Sequence, residues 1–201
     1  MKVSPHFNRY LIYSSLSNTI CGFESIISSY SMLHASGIGI ENTVLASVSL
    51  NLLGKDILGQ VFSIPFISRF SKYGDKDPIK YIRNNIILFE TANFIECSTP
   101  FFMGSMFIPL ATLGNIGKNI GFTGMGSFNA NAINKLSIDK DNIIELYSKI
   151  SVVNTFSYSF GMSLGLIFVT YLPQVELRLT ILPFTAFLRY IFVKKSIEKL
   201  I

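Results

Sequence analysis

The sequence predicts an all-α fold: a polytopic membrane helical bundle of about five apolar helices, with no β-sheet. Three observations predict it. Of 201 residues, 49% are hydrophobic and 14% charged, about half to two-thirds of the charge a soluble domain carries, and mean hydropathy is +0.45. The longest charge-free run, Ile150 to Val175, exceeds the roughly 20 residues that cross a hydrocarbon core. Gly117 with Gly121 and Gly161 with Gly165 repeat the small-residue spacing that lets membrane helices approach closely.

Taken in order, the first apolar segment runs from Tyr10 to Leu33 and carries Glu24. The second, Asn42 to Ser68, holds Lys55 and Asp56 at its centre and no other ionising residue. Neighbours on a helix point about 100° apart, so these two are not expected to neutralise each other as an i,i+4 pair would. Lys55 is expected to find an acidic partner on another segment, Glu24 or Glu90, while Asp56 can reach Gln60. Gly54 offers a point where the segment could break into two short halves.

From Arg69 to Arg83, R-F-S-K-Y-G-D-K-D-P-I-K-Y-I-R sets five basic residues against two acidic ones. Gly74 is placed to end one helix, Asp77 to cap the next and Pro78 to occupy its first turn. The positive-inside tendency assigns this turn to the cytoplasmic face. A second uncharged run spans Cys97 to Gly117, with Pro100 at a helix start and Pro109 as a kink. Lys135 to Lys149 reads as a solvated loop entering a helix, and Leu179 to Val193 is apolar except for Arg189. The tail K-K-S-I-E-K is basic again, so a shared side would place an even number of crossings between the two clusters. The expected organisation is a membrane domain over 3–175 and a C-terminal apolar segment with a basic tail over 176–201.

Several chemistries are disfavoured. Gly161 to Gly165 reads G-M-S-L-G, but a hydrolase elbow needs a preceding strand and a later His, and none follows His34. L-G-N-I-G-K-N-I-G-F-T-G-M-G, from Leu113, lacks the glycine spacing and the Ser or Thr after Lys118 that a phosphate loop requires. It reads as a closely packed or broken helix, with an unwound, substrate-lining helix as the alternative. His6 and His34 are far apart and no Cys-x-x-Cys occurs, so no metal set is visible. No cofactor is named by these residues, and no enzyme is expected. The net charge of +5 forms no basic stripe, which argues against a nucleic-acid partner. Two cysteines inside apolar runs and the lack of an Asn-x-Ser/Thr sequon favour an intracellular membrane.

Four stretches together carry a resemblance: V-S-P-H-F near the start; S-M-L-H-A-S-G-I-G-I-E-N-T-V-L-A-S-V-S-L-N-L-L-G-K-D-I-L-G-Q; F-I-P-L-A-T-L-G-N-I-G-K-N-I-G-F-T-G-M-G; and S-K-I-S-V-V-N-T-F. In this order and spacing, over roughly residues 3 to 165, the chain resembles the root UV-B sensitive family. The resemblance implies an α-helical, membrane-associated domain without an established catalytic mechanism, here in a domain-only version. Lys55, Asp56, Asn115, Lys118 and Lys149 match the family pattern. Leu52 stands where the family usually has Trp, Asn129 where it often has a basic residue, and Val153-Asn154-Thr155 where it has Gln-Glu-Thr.

Two functions compete. In the first, charged residues from separate helices line a site near the midplane for a small polar or anionic solute, since ionisable groups inside a membrane are costly and mark function. The residues expected to bind are Lys55, Asp56, Asn115, Lys118, Glu24 and Glu90. In the second, the chain is a scaffold in the lipid bilayer that assembles through glycine faces with itself or with another membrane protein.

Overall fold

The computed structural model describes residues 3–36, 45–74, 76–102, 106–138 and 142–200. Six α-helices account for nearly all of them: α1 (Phe7–Ala35), α2 (Leu45–Gly74), α3 (Pro78–Ser98), α4 (Phe107–Leu136), α5 (Ile143–Tyr171) and α6 (Val175–Ile197). No strand occurs among the described residues; Val3 and Ser137 form an isolated antiparallel bridge. The all-α expectation holds with one more helix than foreseen. Among the described residues α5 alone is long and apolar enough to cross a membrane, with a mean hydropathy of 1.5, so five apolar crossings are not established. The remaining helices match a bilayer in length but carry polar and charged positions.

The punctuation of the chain is local chemistry. Gly74 ends α2, and Asp77 accepts a hydrogen bond from the Lys80 amide at 2.9 Å, with Pro78 just inside α3, where its missing N–H costs nothing. The run Cys97 to Gly117 is not one helix. Thr99–Phe102 forms a 3-10 turn containing Pro100, and α4 starts afresh at Phe107. Pro109 therefore sits in the first turn of α4 instead of kinking a helix interior, because first-turn amides have no intrahelical acceptor to lose. Gly54 breaks nothing: α2 runs through it continuously. The glycine-rich stretch from Leu113 is likewise an unbroken part of α4. The expected start of the second segment at Asn42 and the side chain of Leu52 lie outside the described residues.

Successive helices alternate in direction. Ile82, Phe128, Ile133, Leu146 and Ile197 meet in a core at one end of the bundle, while Ile27, Cys97, Val169 and Leu182 meet toward the other. Met32 and Ala35 pack there against Phe107 and Ala111. The termini of α3 and α6 next to the two basic clusters thus share an end.

Two glycine seams set the helix spacing. A Cβ on Gly22 or Gly161 would collide with a backbone carbonyl of the facing helix, Tyr158 or Thr19, and one on Gly165 would come within 2.8 Å of the Phe23 carbonyl. α1 and α5 are therefore in backbone contact. On α4, Gly114, Gly117, Gly121 and Gly124 recur at three- and four-residue steps along one face, and that face meets α3 at Glu96, Ala92, Phe89 and Asn85. The packing reading of both glycine pairs is correct. Ser163 of G-M-S-L-G is an exposed helical residue whose hydroxyl donates to the Ser159 carbonyl at 3.1 Å.

Gly161→Val is expected to destabilise by about 1–3 kcal/mol, because backbone must move to admit it. Gly54→Ala, whose Cβ meets nothing within 4 Å, should be neutral or stabilising by up to about 1 kcal/mol. Thermal melts in detergent compare the two.

Candidate functional site

The bundle is polar at its centre. Glu24, Ser28, Asn93, Glu96, Arg178 and Arg189 are all at most 3% exposed, although charged side chains avoid such positions unless paired. Their pairing follows from helix periodicity. Glu24 and Ser28 lie one turn apart on α1; Asn93 and Glu96 occupy one face of α3, with Glu90 a turn earlier; Lys118 projects from the glycine seam of α4; Arg178 and Arg189 come from α6.

Among the described residues, three ion pairs in two groups tie these helices. Arg189 Nη1 donates to Glu90 Oε1 and lies 3.6 Å from Glu24 Oε2, so one guanidinium stands between carboxylates of α1 and α3. Arg189 Nη2 reaches Met125 Sδ at 3.3 Å, its guanidinium carbon lies 4.5 Å from the centre of the Phe89 ring, and its Nε has no hydrogen-bond partner. Neither oxygen of Glu24 accepts a hydrogen bond. Lys118 Nζ donates to Glu96 Oε2 and, at 2.6 Å, to Ser28 Oγ. A third anchor is neutral on its receiving side: Arg178 donates to Ser31 Oγ at 2.8 Å and to the Pro173 carbonyl at 2.6 Å. Ser31 in turn lies 3.3 Å from Cys97 Sγ.

The expected site residues therefore separate into two groups. Glu24, Glu90 and Lys118 belong to the buried centre. Lys55, Asp56 and Asn115 form a separate contact between α2 and α4. There, Lys55 Nζ donates to Asp56 Oδ1, and Asn115 Nδ2 donates to Asp56 Oδ1 at 2.9 Å and to the Lys55 carbonyl at 3.2 Å. The expectation that Lys55 pairs with Glu24 or Glu90 is overturned, since both carboxylates are turned to Arg189. A flexible four-carbon stem lets the Lys55 ammonium fold back on its neighbour despite the 100° between their Cα–Cβ directions. The Lys55 side chain is 9% exposed and that of Asp56 49%, so this pair sits at the edge of the protein body. Lys149 is bound on the surface to Glu145 at 2.6 Å.

Arg189, Arg178, Glu96 and Ser28 were not anticipated as site residues. Arg189 carried a signal as the lone charge in an apolar segment, and Glu96 falls on the same face of α3 as Asn85, Phe89 and Ala92.

The family model described as Vitamin B6 photo-protection and homoeostasis domain matches residues 1–200. This chain belongs to the root UV-B sensitive family. A curated relative, Protein root UVB sensitive 4 of Arabidopsis thaliana, is 24% identical over 170 residues, which cover 83% of this chain and 32% of the relative. The chain thus corresponds to about a third of that protein's length. No solved structure matches. In this root UV-B sensitive domain, Lys55, Asp56 and Asn115 form one contact and Lys118 serves another.

Arg189→Met should cost about 3–5 kcal/mol, because it strands two buried carboxylates. Lys55→Met should cost under about 1 kcal/mol, since Asp56 remains hydrated. Melting temperatures of the two purified variants check this ordering.

Proposed function

We propose that this root UV-B sensitive domain is embedded in a membrane and handles a small polar solute at the polar centre of its bundle. The observation that carries the reading is an inverted distribution of polarity. Large apolar side chains face outward, among them Phe156, Phe160 and Ile167 of α5, Val61 and Phe62 of α2, and Phe184 and Phe187 of α6, whereas Glu24, Glu96, Arg178 and Arg189 are enclosed. Water would reward the opposite arrangement, and lipid tolerates this one at the cost of pairing the interior charges.

The helices have between 21 and 30 residues, and at 1.5 Å per residue even the shortest matches a hydrocarbon core of about 30 Å. Four helices separate Gly74 from the C-terminal basic cluster, an even number that suits both clusters facing the cytoplasm. The family description adds vitamin B6 as the first solute to test. The alternative, a scaffold assembling through glycine faces, would need another surface. Gly22, Gly114, Gly117, Gly121, Gly124, Gly161 and Gly165 are all engaged within the chain.

Carbonate-washed membranes should retain the protein; its release into the supernatant would remove the reading. Lys118→Met with Glu96→Leu exchanges a buried pair for apolar groups, a change that is often tolerated. In reconstituted vesicles the double variant should insert and melt like the native chain yet lose uptake of labelled pyridoxine. A scaffold would lose nothing by the exchange.

A further inference from the structure

Beside the ionic centre, toward the end where α1 begins and α6 finishes, a cavity of about 460 Å³ opens between α1, α4, α5 and α6, within the range of small-molecule sites. Its walls combine two chemistries. Ser17, Asn18, Ser151 and Thr155 supply polar groups, and Phe122, Phe128, Tyr147 and Tyr158 supply aromatic surface. Among the described lining residues, Arg189 alone carries a formal charge at neutral pH.

Hydrogen bonding around the cavity leaves donors over. Tyr10 donates to Asn129 Oδ1 at 3.3 Å and Ser14 to Asn154 Oδ1 at 3.0 Å. Both asparagines line the cavity, and among the described residues their amide nitrogens find no acceptor. An acceptor-bearing guest would satisfy these amides, whose missing bonds are costly when water is excluded.

Charge narrows the class further. The guanidinium already faces Glu90 and Glu24, so a phosphate or carboxylate would bring further negative charge beside two acidic groups sharing one cation. We infer that this cavity binds a small solute without net negative charge, built on a flat ring that bears hydroxyl or other acceptor groups. The inference rests on the solute-handling reading and adds a binding site beside the Lys118–Glu96 pair, with its charge class.

The test is titration calorimetry on the full chain in detergent, with pyridoxine and pyridoxine 5′-phosphate as probes that share a ring and differ in the phosphate. Gly126 lines the cavity, and a Cβ there meets nothing within 4 Å, so Gly126→Leu adds bulk at the cavity wall without a clash at Cβ. Gly54→Leu is equally unobstructed and lies outside the cavity, which makes it the control. Pyridoxine is expected to bind saturably, and its phosphate ester at least about tenfold more weakly, a difference of about 1.4 kcal/mol. Gly126→Leu should weaken pyridoxine by a similar factor with an unchanged melting temperature, and Gly54→Leu should bind like the native chain. Pyridoxine binding that survives Gly126→Leu overturns the assignment of this cavity while leaving solute handling intact. Tighter binding of the phosphate ester overturns the charge class, and saturable binding of neither probe overturns the inference together with the reading beneath it.

Discussion

The Arg189 guanidinium, enclosed between Glu90 of α3 and Glu24 of α1, is the contact on which the arrangement of the bundle depends. It joins three helices distant in sequence, and it does so where water does not compete for its hydrogen bonds. Such a group strongly disfavours packings that leave it alone, because an unpaired buried charge costs several kcal/mol. Apolar side chains are interchangeable in comparison; Leu182 or Val169 would accept many neighbours. The ionic centre thus selects the register of α6 against α1 and α3, and hydrophobic packing fills in around it.

That centre can close only because the backbones come close. Glycines along α4 bring α3 within reach, so that Lys118 meets Glu96 and Ser28 instead of being held away by side chains at Gly114 and Gly117. The second seam, Gly22 against Gly161 and Gly165, fixes α5 to α1. Among the described residues α5 alone is long and apolar enough to cross a membrane, and the same packing sets the wall that holds Asn154 and Tyr158 beside the polar cavity. Small residues and buried charges are therefore one device: close approach shortens the distances across which the charges must pair.

Much of the fold was legible along the chain. Gly74, Asp77 and Pro78 act through their own backbone and immediate neighbours, so the boundary between α2 and α3 could be read directly. The glycine spacings likewise announced their packing role. Pro109 was misread because its effect depends on where the helix begins, and Phe107 is set as the start by its burial against Met32 and Ala35. α3 drew little notice as an apolar element because its polar residues, Asn85, Asn93 and Glu96, face inward, reversing the usual sign of the pattern.

The sequence by itself determined that the chain is helical, where α2 gives way to α3, and that charges are stranded in apolar surroundings, since these follow from local backbone preference and composition. Only the tertiary structure decided which charges meet. Lys55 and Asp56, the most conspicuous pair in the sequence, lie at the α2–α4 margin and satisfy each other with help from Asn115. The interior went to Arg189, Glu24, Glu90, Glu96 and Lys118. The physical reason is that pairing energy depends on distance and burial in three dimensions, and neither is encoded in how prominent a residue looks among its sequence neighbours.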